Sequence, residues 1–160
     1  MGKGEQLDPA TCAEMARVCA CLGFRKASRS VTQLYDQFLT PCGLRSTQLV
    51  VLLSAYVLGS SNLRQLADEL AMDRSTLTRN LKPLIAQRLL ETMPAKGRGR
   101  SKLIEVTQRG QDLLRTAAPL WQQAQNSLRE RLGDERLGRV VEDLAVVTRA
   151  VRRPRPDQAK

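Results

Sequence analysis

The chain is 160 residues long, enough for one domain with a real core, and it sets 26 Lys and Arg against 16 Asp and Glu for a formal charge of +10. Such a charge favours polyanions through counterion release, and a dimer would carry twice as much. The complete absence of histidine removes the commonest general base, the commonest metal ligand and every Ser/His or Cys/His nucleophile pair.

With no glycine-rich phosphate loop and no carboxylate pair of evident purpose, no enzyme, metal centre or cofactor is expected, and no catalytic residue is assigned. No apolar run approaches the roughly 20 residues that span a bilayer, and MGKGEQLDP lacks the apolar segment of a secretion signal. A cytoplasmic protein follows, in which the four cysteines are ordinarily thiols.

MGKGEQL is expected to fray. Asp8-Pro9 then opens a helix, with Asp as N-cap and Pro at the first helical position. Helix-compatible residues run on to about Thr40, where Pro41 and Gly43 stop them, and Gly23 is a place for a kink. Met15, Val18, Cys19, Leu22, Val31, Leu34, Tyr35 and Phe38 give this stretch more apolar surface than one small domain uses, which implies a partner subunit. Ser46 is a candidate cap for a second helix, whose Leu49, Val50, Leu52, Leu53 and Val57 are apolar nearly all round and read as a buried strut. Gly59-Ser60-Ser61-Asn62 ends that helix and opens a third, with Leu63, Leu66, Ala67 and Leu70 facing inward.

Only Ala71-Met72-Asp73 separates the third helix from a fourth. There Leu77, Leu81, Leu84 and Ile85 follow the i, i+4, i+7, i+8 pattern of a buried stripe, with Asp73 as N-cap. The other side collects Ser75, Thr78, Arg79 and Lys82, flanked by Arg74, Thr76 and Asn80. Hydroxyls and cations suit phosphates, while Arg and Asn can read base edges bidentately. The helix is expected to end near Arg88. LLETM and LIEVT then read as two strands around a loop bearing Lys96, Arg98, Arg100 and Lys102, spaced by Gly97, Gly99 and Ser101. A glycine-loosened arginine tip suits a narrow, electronegative minor groove, and no acidic residue occurs between Glu91 and Glu105. Two short helices joined by a tight turn, the second basic, followed by this hairpin, make a winged helix-turn-helix.

From Thr107 to about Leu132 a long helix turns Leu113, Ala117, Leu120, Trp121, Ala124, Leu128 and Leu132 inward, and Gly133-Asp134 breaks it. The last helix, about Glu135 to Val151, carries Leu137, Val140, Val141, Leu144, Val147 and Val151 at helical spacing. The winged part supplies its own core, so a share of these should lie between subunits. RRPRPDQAK reads as a disordered tail. The expected architecture is mainly α in one domain: a winged helix-turn-helix at about 46–107 with a two-stranded wing, dimerisation helices at about 9–40 and 108–151, and a tail at 152–160.

Over nearly its full length the chain resembles the MarR family of regulators, through LRQLADELAMDRSTLTRNLKPL, the wing, and LIEVTQRG with Thr107 and Gly110. The resemblance implies a homodimer on a palindromic double-stranded operator, with recognition helices in successive major grooves and wings in flanking minor grooves. It also implies a small-molecule or oxidant effector sensed near the dimer junction. Three positions depart from the family pattern: Arg88 stands where a glycine is usual, Arg98 where the wing usually has Asp, and Pro83 lies within the recognition helix.

On a continuous helix Cys19 and Cys21 point about 200° apart, a poor metal clamp unless the helix breaks, and Cys12 and Cys19 lie about 10 Å apart along it. As small residues all four cysteines also suit a core. The spacing of Cys21 and Tyr35 is similar to that of the organic-hydroperoxide-sensing branch of the family, which implies a redox-sensing cysteine at Cys21 assisted by Tyr35, with Arg25 where a second tyrosine is usual. The reading is a DNA-binding repressor; the alternative is a thiol redox or metal-handling protein whose basic surface is incidental.

Overall fold

The computed structural model describes residues 8–94 and 102–151. By its internal contacts the chain divides into two compact units between Leu34 and Tyr35. The first holds helix α1 (Pro9–Val18) and most of helix α2 (Ala20–Leu39). Asp8 caps α1 as expected, its carboxylate accepting the Thr11 N–H at 3.2 Å. The expected single helix is instead two, and the break falls at Cys19 rather than Gly23. Cys19 is extended (φ −71°, ψ 104°), and its carbonyl accepts the Gly23 N–H at 3.0 Å while its sulfur accepts the Leu22 N–H at 3.4 Å. Cysteine thus does at the start of α2 what Ser or Asp ordinarily does at an N-cap. Nothing in α1 is buried, and Met15, Val18, Phe24 and Val31 are all exposed.

In the second unit, a 3₁₀ turn (Thr40–Cys42) closes on Gly43, which has the left-handed φ of 72° that glycine tolerates. Helix α3 (Ser46–Leu58) follows, capped by Arg45 and not by Ser46. The side chain of Gln48 reaches back to the Arg45 N–H at 2.9 Å, and Asp36 of α2 accepts the Ser46 N–H at 2.6 Å, leaving Ser46 buried as the first helical residue. Leu49, Val51, Leu52 and Ala55 sit in the core, but Val50, Leu53 and Val57 are exposed. The helix is therefore a strut buried along one side only.

Strand β1 (Ser61–Asn62) and helix α4 (Leu63–Glu69) come next, then helix α5 (Arg74–Ala86), strands β2 (Leu90–Pro94) and β3 (Lys102–Val106), and helices α6 (Gln108–Leu132) and α7 (Asp134–Val151). The expected two-stranded wing is joined by β1 into a three-stranded sheet: β3 pairs antiparallel with both neighbours, Ser61 opposite Ile104 on one side and Leu90 opposite Val106 on the other. In the hairpin, Leu90 and Ile104 reach the core and the rest of β2 is solvent-facing, so the wing is anchored at its base alone. The core joins Leu39, Leu52, Leu66, Leu77, Leu84, Leu89 and their neighbours into one cluster. On α6 it takes Ala117 and also Leu114, which the expected stripe missed; Leu113, Leu120 and Trp121 pack at its edge, and Leu132 is exposed. Ile85 too is more exposed than its stripe implied. No side chain of α7 is buried within the chain.

Helix α5 is continuous through Pro83 and ends at Ala86, two residues before the expected stop. Its exit is a Schellman turn: the Leu89 N–H returns to the Leu84 carbonyl and the Arg88 N–H to that of Ile85, both at 2.9 Å. Arg88 accordingly stands at φ 58°, in the conformation glycine is used for. The helix-turn-helix corner is built the same way, with Ala71 at φ 51° and the Met72 N–H on the Ala67 carbonyl at 2.9 Å. Arg88→Gly should therefore stabilise the fold by about 0.5–1 kcal/mol, since relief of the strained φ outweighs the extra freedom glycine gives the unfolded chain. Chemical denaturation checks it, and an unchanged or lower midpoint would mean that the arginine is held there by something the turn geometry does not reveal.

Candidate nucleic-acid interface

Every residue predicted for the reading surface and lying on α5 is at or near the protein surface. Arg74, Ser75, Thr78, Arg79 and Lys82 are exposed, while Thr76 and Asn80 are half-buried. Asn80 places its amide 3.5 Å from the sulfur of Met72, back toward the corner of the helix-turn-helix. Lys102 is exposed at the start of β3, opposite Pro94. Lys96, Arg98 and Arg100, with the other tip residues, lie outside the described residues, as do the expected frayed N-terminus and the tail at 152–160.

Asp73 does more than cap. Its Oδ1 accepts the Ser75 hydroxyl at 2.5 Å and the Thr76 N–H at 2.8 Å, and its Oδ2 accepts the Thr76 hydroxyl at 2.7 Å. These donors, the Ser75 hydroxyl foremost, hold the carboxyl far below the ordinary carboxylate range. Thr76 in turn accepts from the Arg79 guanidinium at 3.2 Å, and Thr78 gives its hydroxyl proton to the Arg74 carbonyl at 2.7 Å. Sequence spacing signalled the cap but not this chain of bonds, which depends on side-chain rotamers.

The surface is held in place from behind. Thr107 caps α6 by accepting the Gly110 N–H at 3.1 Å, and its hydroxyl donates to the Arg88 carbonyl at 2.7 Å. The Thr107 N–H meets the Leu89 carbonyl at 3.1 Å. One residue thus ties the exit of α5, the base of the wing and the start of α6 together.

Away from this face, Leu49, Leu53, Leu114, Ala118 and Trp121 line a cavity of about 270 Å³ between α3 and α6, all of them apolar. Its α6 wall follows the 114, 118, 121 helical spacing, of which the expected stripe held Trp121 but not Leu114 or Ala118. Cys12, Cys19 and Cys21 are exposed, and Cys42 donates to the Leu39 carbonyl at 3.1 Å. The break at Cys19 removes the continuous-helix premise of the argument against a CAC metal clamp. Among the described residues, however, no group of three or more His, Cys, Asp or Glu is placed to hold a metal. Cys21 and Tyr35 lie on α2, 14 residues and so about 21 Å apart along the axis. Tyr35 packs against the core of the second unit, and burial raises its phenol pKa. No single helix among the described residues is long and apolar enough to cross a membrane.

The fold and this surface define a winged helix-turn-helix protein. Among solved structures the chain is similar to the M. tuberculosis transcriptional regulator MosR in complex with DNA, at 36% identity and a TM-score of 0.74, over 82% of this chain and 95% of that one. A second crystal structure of M. tuberculosis MosR matches at 33% identity and a TM-score of 0.69, over 84% and 98%. CouR, a transcriptional repressor bound to a DNA duplex, shares the fold at 21% identity and a TM-score of 0.74, over 89% and 98%. No family model matches the sequence. No curated protein matches it either. The chain belongs to the MarR family of winged-helix transcriptional regulators.

Proposed function

We propose that the chain is a cytoplasmic, homodimeric repressor that binds a palindromic operator and is released from it by a signal. The observation that carries the reading is the exposed face of α5, where Arg74, Arg79 and Lys82 form no ion pair among the described residues and the Asp73 carboxylate is engaged by the Ser75 and Thr76 donors of its own cap. The DNA complexes described for MosR and CouR support it. So do the apolar side chains exposed on α1 and α7, which suit a second subunit.

In this reading α5 enters the major groove and Lys96, Arg98, Arg100 and Lys102 follow the neighbouring minor groove. Selection of bound genomic fragments yields the operator, and binding is then followed as salt rises. The log-log slope should approach −0.9 per phosphate contact. Arg79→Ala should weaken operator binding by roughly 1–3 kcal/mol more than binding to random DNA. Equal losses make Arg79 a phosphate contact, and equal wild-type binding to every duplex ends the specific-repressor reading.

For the signal we favour oxidation at Cys21, exposed on the first turn of α2. With its pKa raised, Tyr35 stays a protonated donor, and a crossed pair of α2 helices would let it reach the partner's thiolate. An organic hydroperoxide should then release wild type from DNA and leave Cys21→Ser bound. The cavity under Trp121 favours a second reading, a small apolar effector. It is preferred if Cys21→Ser and wild type release alike.

A further inference from the structure

We infer that Asp73 and Thr76 are positioning residues that fix the hydrogen-bond polarity of α5 and the aim of Arg79. The inference rests on α5 being the DNA-reading helix. An ionised carboxylate can only accept, so the Ser75 and Thr76 protons at 2.5 and 2.7 Å must both point into Asp73. What the two hydroxyls have left is lone pairs. That of Thr76 faces the Arg79 guanidinium at 3.2 Å, so the N-cap holds the arginine through one relay, from carboxylate to hydroxyl to guanidinium. The Thr78 hydroxyl is likewise committed, to the Arg74 carbonyl.

Two consequences follow. Phosphate oxygens, themselves acceptors, find no donor in these three hydroxyls, and backbone attraction falls to Arg74, Lys82 and the wing cations. Arg79 loses fewer rotamers on meeting a base, because one guanidinium nitrogen is tethered while others remain to donate. Thr76 therefore acts on recognition through Arg79 and not by touching DNA.

The test uses the full-length protein and variants that keep the Asp73 cap. Thr76→Val preserves shape and β-branching but removes the hydroxyl; Thr76→Ser restores it. Thr76→Val should lower the ratio of operator to random-DNA affinity about five- to tenfold with an unchanged salt slope, and Thr76→Ser should recover most of it. In Thr76→Val/Arg79→Ala the loss should be no greater than in Arg79→Ala alone. Ser75→Ala should leave the salt slope as it is. A readout without DNA accompanies these: the Arg79 Nε–H should be ordered by ¹⁵N relaxation in wild type and Thr76→Ser, and mobile in Thr76→Val. Additive losses, or an Arg79 equally mobile in all three, overturn the relay. A shallower slope in Ser75→Ala or Thr76→Val makes that hydroxyl a phosphate contact. If Arg79 behaves as expected in the relaxation measurement but wild type has no preferred duplex, it is the DNA reading that fails.

Discussion

Gly110→Ala should destabilise the fold by about 1–3 kcal/mol, the typical cost of forcing extra volume into a packed site. A Cβ built there would lie 2.3 Å from the Leu89 carbonyl oxygen and 2.7 Å from Cγ1 of Val106. Neither atom is the far end of a flexible chain. The Leu89 carbonyl already accepts the Thr107 N–H, and Leu90 and Val106 are the first paired residues of the hairpin. Relief thus requires α6 to back away from the wing base, which loosens the Thr107 bonds to Arg88 and Gly110. Urea denaturation measures the loss. Because the same joint sets the wing against α5, operator affinity should fall at temperatures where the variant is still folded. A loss under about 0.5 kcal/mol, the scale of an ordinary surface change, would show that the α6 start moves aside freely.

The elements that were legible from sequence are those whose evidence is local and periodic. Leu77, Leu81 and Leu84 recur at helical spacing behind a good N-cap, and α5 follows them closely. What was misread depends on partners distant in sequence or on unusual atoms. The break at Cys19 has no proline or glycine beside it; a sulfur takes the capping role, and no propensity argument assigns it one. Ser46 looked like a cap because it is a serine, whereas Asp36, ten residues earlier, takes up its N–H. Strand β1 is two residues long and exists only because Leu103 and Ile104 are beside it. The one-sided burial of α3 has the same origin: an all-apolar helix carries no phase, so periodicity cannot tell which of Val50, Leu53 or Val57 the fold leaves uncovered.

If the chain works as the proposed dimer, removing residues 133–160 should abolish that dimer, and with it tight operator binding. Helix α7 buries none of its side chains within the chain, and leaves Val140, Val141, Leu144, Val146 and Val151 exposed. Fully covering an aliphatic side chain of this kind contributes roughly 1.5–3 kcal/mol relative to leaving it in water. Since these are already partly covered, and the proposed two-fold interface would use each of them twice, several kcal/mol of association would depend on this helix. Without the proposed dimer, nothing would hold two α5 helices about 34 Å apart for successive grooves, so affinity should fall toward the roughly 10⁻⁴–10⁻⁶ M of non-specific binding. Sedimentation equilibrium reads the assembly and fluorescence anisotropy the DNA. Val141→Glu/Leu144→Glu serves as the companion variant: the two side chains are 58% and 45% exposed in the chain, so charge there spares the monomer fold while opposing a dry interface. Monomers with weak, sequence-indifferent binding in both variants are expected. A truncated chain that stays dimeric would instead assign assembly to α1 and α2, whose Met15, Val18, Phe24 and Val31 are likewise uncovered.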